Sequence, residues 1–446
     1  MRIKLITVGL FFSFFMLYSW LAFAAFRTGL PHDPNWLVDE EITELIPQWN
    51  HGKLKCRPPR GGYNEGVENQ TIINSWGYKA RPIEEIKDLM PSPFYELYTK
   101  PEIWGTFRIN ETLWDPVKPR GAMWEKFMAQ TKKNIKEVYC DDTGWMMNYH
   151  YGIPFPAIDE KDPQIAVKLI WNFFKRYQDN DRYVPMSLTV TDRRGHTRHN
   201  LILNKRLQMR GRVREQRNTV NGLYIPNPKN YDFLYNCSYV SPYNLRGTIT
   251  LYYRYSTNKD DDMWLYIPSI RRVRRMSTAQ HQDRFPGGLD FTYDNTEGFE
   301  GNPSRFKWTY LGRKELLIPV IAFSHCYHTK KGHLNGNDQF YQRRNCYVIK
   351  AAYKNPINMS EMILYLDPLL YSCCYSIDRD VKGRDWILQL VHQGRCNKWF
   401  YTMYNAYAID IIRKHSTWVQ YTYSGSEDFV YEDLTMTHLK KELLAR

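Results

Sequence analysis

The sequence predicts an α+β protein: a large curved antiparallel sheet, an incomplete β-barrel closed by helices, behind a helix- and loop-rich N-terminal portion. Two observations carry this. From Tyr183 to Ile412, short segments of β-branched and aromatic residues alternate with turn residues, as consecutive strands of one sheet do. Ahead of them, Ile165, Leu169, Ile170, Phe173 and Phe174 recur at helical spacing after Asp162-Pro163, which marks an amphipathic core helix. With a leader set aside, about 420 residues remain, enough to bury a substantial core in one or two domains.

Taken in order, the chain opens Met1-Arg2-Ile3-Lys4, carries no charge from Leu5 to Phe26, and places Ala22-Phe23-Ala24 before Ala25. That is the form of a cleaved secretory signal over 1–24, with an uncleaved N-terminal anchor as the other reading. Cleavage removes Arg2 and Lys4, so the formal charge of +14 becomes +12. A basic exported protein does not normally meet nucleic acid; its charge suits anionic lipid or acidic partners, or is merely solvated. Residues 25–148 are expected to wrap or cap a core, with helices at 83–89, after Pro82, and at 122–138, where Met123, Phe127, Ile135 and Val138 form the apolar set.

Residues 149–446 are expected to form the β-rich domain. Strands are read at 187–192, 201–210, 233–239 and 248–256, then through Trp264, and at 306–311, 317–323, 339–353, 362–366, 371–377, 386–391 and 399–412. A last helix is expected near 434–444. The 34 tyrosines and 14 tryptophans supply amphipathic rings for a cavity wall or a wet surface, although β propensity alone also explains them.

Little in the chain speaks for catalysis or a cofactor. It has no nucleophile elbow, no phosphate-cradling glycine loop and no H-E-x-x-H, so neither an enzyme nor a cofactor is expected. The His325-Cys326-Tyr327-His328 run with His333 fits no zinc spacing. Asp260-Asp261-Asp262 reads as a solvated turn, with calcium as the alternative. Among eight irregularly spaced cysteines, Cys326 and Cys346 flank Asn335-Gly336-Asn337 and are expected to bridge a hairpin as a disulfide.

The most distinctive stretch is Met263-Trp264-Leu265-Tyr266-Ile267-Pro268, followed by Ser269-Ile270-Arg271-Arg272-Val273-Arg274-Arg275 and, later, Asp290-Phe291-Thr292-Tyr293-Asp294. Strand alternation puts Met263, Leu265 and Ile267 on one face, and Trp264 with Tyr266 on the other. It also separates Arg271 and Arg275 from Arg272 and Arg274. Two readings stand side by side. The arginines bind a phosphate or carboxylate at a cavity mouth, or Arg272 and Arg274 pair with Asp290, Asp294 or Asp283 in a fixed network. The expected ligand-binding set is Trp264, Tyr266, Arg271, Arg272, Arg274, Arg275, Phe291 and Tyr293, with Asp290 and Asp294 as structural ion-pair acids.

This stretch, with Gln280 and Asp283, resembles the bacterial family catalogued as domain of unknown function 1329. Gly152-Ile153-Pro154-Phe155-Pro156 ahead of Trp171, Cys346-Tyr347-Val348-Ile349-Lys350-Ala351, and Ile363-Leu364-Tyr365-Leu366-Asp367 support the resemblance. It implies an exported periplasmic protein whose β-rich half is similar to Lol-type lipoprotein carriers, a curved antiparallel sheet closed by helices around an apolar cavity. It also implies association with membrane exporters of the resistance-nodulation-division type. The expected function is binding or carriage of a lipid or acyl cargo; the alternative is an envelope interaction protein that docks through a basic, tyrosine-rich surface.

Overall fold

Backbone groups buried in a sheet must pair with neighbouring strands, and here one sheet absorbs nearly all of them. The computed structural model describes residues 57–64, 81–104, 107–113, 122–178, 181–213, 219–220, 223–224, 226–321, 336–395, 401–421 and 431–439. Three early strands are β1 (Arg57–Asn64), β2 (Arg81–Pro82) and β3 (Phe107–Leu113), and β4 (Tyr139–Cys140) pairs separately with β5 (Met146–Met147). Next come β6 (Asp181–Thr191), β7 (Thr197–Gln208), the small pair β8 (Thr219–Val220) and β9 (Leu223–Tyr224), and β10 (Tyr231–Ser241). They are followed by β11 (Ile249–Tyr255), β12 (Asp262–Ile267), β13 (Arg272–Met276), β14 (Phe306–Ile321) and β15 (Gly336–Tyr353). The last five are β16 (Met359–Leu366), β17 (Cys373–Asp380), β18 (Asp385–Arg395), β19 (Tyr401–Asp410) and β20 (His415–Tyr421).

Among the described residues the sheet has 16 strands and runs β13-β12-β11-β10-β7-β6-β20-β19-β18-β17-β16-β15-β3-β1-β2, with β14 paired to β15. It does not close into a barrel. Pairing is antiparallel except where β3 meets β15 and β1 meets β2. The sheet also folds back on itself: Tyr375 on β17 donates its hydroxyl to the Leu317 carbonyl of β14, and Phe94 of the helix Ser92–Tyr98 packs on Tyr375 with ring centroids 4.7 Å apart.

Registers divide the sheet into two faces. On the front face lie Ile202, Cys237, Tyr252, Met263, Met362, Leu364, Ile387, Ala408 and Val419. The helix Ile165–Phe174 covers its β15–β17 part and the segment 277–305 covers its β6–β12 part, giving two cores that share Trp386. On the back face, Leu207, Leu234, Leu251 and Tyr266 pack under Leu434 and Leu439.

Several expectations are corrected. The segments read at 306–311 and 317–323 are one 16-residue strand, carried through register shifts at Tyr310/Gly312 and Pro319/Ile321. The strand read at 399–412 is β19, ending at Asp410, and a strand not expected from the sequence, β20, follows it, returning along β19 and pairing with β6. Residues 83–89 form a 3-10 helix, and Ile135 on the helix Ala122–Glu137 is 56% exposed rather than apolar packing. The early portion adds β1 and β3 to the main sheet. In the C-terminal segment a 3-10 turn spans Tyr431–Leu434 and helical residues begin at 436; residues 440–446, like the leader, lie outside the described residues.

Candidate functional site

The stretch singled out from the sequence forms the last two strands of the sheet at one end, β12 and β13, and alternation splits it between the faces. On the back face Trp264 stands opposite Arg275 and Tyr266 opposite Val273. Tyr266 is fully buried and Trp264 meets Tyr253 edge-on at 4.9 Å. Phe291 and Tyr293 are buried instead in the front-face core, with Tyr293 tilted on Phe285 at 4.1 Å. The sheet therefore separates Trp264 and Tyr266 from Phe291 and Tyr293, and the eight residues line no common cavity. The chain crosses between faces after β13, which local periodicity cannot register.

The arginines stand outside the core. Arg272, Arg274 and Arg275 lie exposed on the sheet's terminal strand, and Arg271 sits in the preceding turn at φ 47°. Charges along such an edge oppose strand-to-strand aggregation. Arg275 pairs with Asp262, which also accepts from the Tyr255 hydroxyl at 2.6 Å. The acids expected to answer Arg272 and Arg274 have other partners. Asp290 lies 2.7 Å from Arg284 Nη1 and 2.7 Å from His415 Nδ1. Asp294 pairs with Arg305, accepts from the Tyr353 hydroxyl at 3.0 Å, and lies 3.6 Å from His281. Burial opposes its charge, yet Arg305 and His281 together hold its carboxyl well below the usual range. Asp261 and Asp262 are buried and paired, not solvated: Asp261 accepts from Arg254 and from the Tyr252 hydroxyl at 2.6 Å.

Cys346 is a fully buried free thiol inside β15, opposite Lys314; its expected partner Cys326, with His325, His328 and His333, lies outside the described residues. No group of three or more His, Cys, Asp or Glu side chains fit to hold a metal ion occurs among the described residues.

Space for a ligand is unevenly distributed. Beneath Phe285, Leu289 and Phe291, between the segment 277–305 and the sheet, the void measures about 30 Å³, room for one water. A cavity of about 220 Å³ lies instead behind the helix Ala122–Glu137. Trp124, Phe127 and Met128 form its helical wall, Ile153 and Pro156 its floor, and Leu370 and Tyr371, in the turn between β16 and β17, its far side. Trp124 and Phe127 each meet Tyr177 edge-on, at 4.8 and 4.9 Å.

Polar bonds tie the C-terminal half of the helix to residues 151–153. Asn134 Nδ2 donates to the carbonyls of Tyr151 and Ile153 at 2.8 and 2.9 Å, and Ile153 N donates to Thr131 Oγ1 at 2.9 Å. Gly152 makes this approach feasible. Its φ is +87°, and a Cβ there would stand 2.8 Å from Thr131 N. The charge at the cavity edge is answered within the protein: Arg176 Nη1 donates to Phe173 O at 2.7 Å and Nη2 to Glu297 at 3.4 Å. Burial lowers Arg176 to about 10, and it stays charged at neutral pH. Sequence reading missed this cavity; the available signal was Trp124, Phe127 and Met128 at i, i+3 and i+4 on an otherwise polar helix.

With this geometry in hand, comparison with known proteins places the chain. The family model described as "Protein of unknown function (DUF1329)" matches residues 116–432. The chain belongs to this DUF1329 family. An uncharacterized protein of Pseudomonas aeruginosa is 25% identical over 222 residues, which are 46% of this chain and 45% of that relative, so the match spans less than half of the relative's length. Among solved structures, a putative outer membrane lipoprotein-sorting protein domain from Vibrio parahaemolyticus aligns with TM-score 0.44 and 14% identity over 61% of this chain and 97% of that one. A DUF1329 family protein from Desulfovibrio piger aligns with TM-score 0.43 and 13% identity, over 58% and 91% of the two chains. A LolA superfamily protein from Nitrosomonas europaea aligns with TM-score 0.39 and 10% identity, over 61% and 98%. No helix among the described residues of this DUF1329 protein is long and apolar enough to cross a membrane.

Proposed function

We propose that this protein is a periplasmic binding or carrier protein for a hydrophobic, acyl-type cargo, held in the cavity behind the helix Ala122–Glu137. The observation that carries the reading is the cavity itself: about 220 Å³, walled by Trp124, Phe127, Met128, Leu370 and Tyr371. An engineered apolar cavity of about 150 Å³ already admits benzene. Each methylene buried there contributes about 0.8 kcal/mol without any reaction. The region around Phe291 and Tyr293 is packed and takes no part in the proposal. The periplasmic location rests on the leader-like start, and a resistance-nodulation-division exporter as partner rests on the family resemblance.

Native mass spectrometry of protein purified from its own envelope tests the cargo. The expected result is a co-purifying acyl compound that disappears in Met128→Trp, whose larger ring occupies the space. Protein that is repeatedly ligand-free, or a folded Met128→Trp variant that keeps its cargo, would defeat the proposal. Crosslinking in the envelope tests the exporter separately.

A further inference from the structure

Six hairpin turns open on one rim of the sheet. The pairs Ile267↔Arg272, Ser238↔Ile249, Thr191↔Thr197, Asp410↔His415, Arg379↔Asp385 and Ala352↔Glu361 flank them. The cross-strand registers Ser241↔Leu201, Ser416↔Thr191, Ile387↔Asp410 and Met359↔Asp380 set those turns side by side. Twelve strands end there, from β13 to β15, and at 4.7–4.9 Å per strand the rim is an arc of about 50 Å.

The turns 192–196, 242–248, 268–271, 354–358, 381–384 and 411–414 carry nine lysines and arginines, all exposed, and one acid, Asp192. Some have partners within the protein: Arg384 is bonded to Asp380 at 2.7 Å, Arg413 lies 3.8 Å from Asp410, and Lys354 Nζ donates to the Ser304 carbonyl at 2.7 Å. With the flanking residues included, Arg272 and Arg379 raise the cations to eleven and Asp380, Asp385, Asp410 and Glu361 raise the acids to five, an excess of six. The same turns hold large apolar side chains out to solvent. Tyr243 is 92% exposed, Val381 52%, Ile357 48%, Ile270 45% and Ile412 45%.

Basic turns alone are what a solvated rim shows. Apolar tips set among the cations, on five of six adjacent turns, cost free energy in water and gain it at an interface that is anionic at the headgroup and apolar below. We propose that this rim docks on an anionic lipid bilayer, the apolar tips entering the headgroup boundary and the cations meeting phosphates. The proposal is independent of the cargo cavity, whose walls belong to other segments.

Sedimentation of the full chain with phosphatidylcholine vesicles, with and without phosphatidylglycerol, tests it; any contribution of 5–26 is then common to every variant. Binding is expected to need phosphatidylglycerol and to weaken with salt. The double change Arg413→Glu and Lys414→Glu is expected to lower vesicle partitioning about tenfold or more. Tyr243→Ser with Ile270→Ser should lower it too, whereas Ile135→Ser, exposed on the helix Ala122–Glu137, should leave it unchanged. A spin label on Ile270→Cys should be relaxed by a lipid-soluble agent once vesicles are added. Equal binding to neutral vesicles, rim variants that bind like the parent, or a label that stays in water would overturn the proposal. Binding of soluble polyglutamate in place of vesicles would assign the rim to an acidic protein and overturn it equally.

Discussion

The segment 277–305 and the helix Ala122–Glu137 are both covers, and they leave very different spaces beneath them. The first is bonded to the sheet along its length. Asp290 N donates to Thr417 Oγ1 at 2.9 Å, Asn295 Nδ2 to Asp378 Oδ2 at 2.6 Å, and Gln389 Nε2 to the Asn295 carbonyl at 2.7 Å. Arg254, Asp261 and Glu300 close its end as a buried ion cluster. With the backbone held so closely, Phe285, Leu289 and Phe291 fill the gap. The helix is bonded to residues 151–153 through Asn134 and Thr131, and its aromatic half faces the cavity. Dense polar attachment goes with a filled core under the segment 277–305, whereas a cavity of about 220 Å³ stays open behind the helix.

The comparison can be broken most forcefully at the ion cluster. Arg254→Ala leaves Asp261 buried without its cation and is expected to cost about 3–5 kcal/mol, read as a lower urea midpoint with cargo binding per folded molecule unchanged. A large loss of cargo among folded molecules would mean the two covers act as one.

Asp378 probes the same cover by pH. Burial pushes its carboxyl up to about 7, against hydrogen bonds from Asn295, Ser376 and Gln389. Because the folded value lies above the unfolded one, stability is fully present below about pH 4 and is lost as pH rises through about 7. Asp378→Asn is therefore expected to stabilise by roughly 2–4 kcal/mol at pH 8 and to match the parent in acid. A difference that ignores pH would show that the carboxylate is not the cause.

Smaller effects sharpen the helix side. Gly152→Ala meets Thr131 N and a left-handed backbone, so it should destabilise by about 2 kcal/mol and speed amide exchange in 122–137 before that in β17. Uniform exchange would mean the helix does not open separately. Met128→Trp should change stability by less than about 1.5 kcal/mol, because it fills existing space; a loss of several kcal/mol would show that the cavity cannot take a larger ring.

Much of the fold was legible because its signals are local. The alternation through Met263-Trp264-Leu265-Tyr266-Ile267 and the helical spacing after Asp162-Pro163 appear as the strand β12 and the helix Ile165–Phe174. The hairpin at Asp410↔His415 was not legible, since its turn, Ile411-Ile412-Arg413-Lys414, carries no glycine or proline to announce it. Nor was β3, whose parallel pairing with β15 joins residues more than two hundred positions apart.

The expected site fared differently for the same reason. Which arginine answers Asp290 depends on where the chain runs after β13, and the acid meets Arg284 and His415 rather than the nearby block.

By itself the sequence determined the alternation of faces, the antiparallel run of strands, the two main helices, the basic charge and the family. Tertiary structure alone decided that Trp264 and Phe291 lie on opposite sides of the sheet, that the void lies behind the helix Ala122–Glu137, and that six distant turns share one rim. Side-chain period is written into a few consecutive residues, whereas a cavity is what remains when segments far apart in the chain fail to meet, and a rim exists only once the registers of a dozen strands are set.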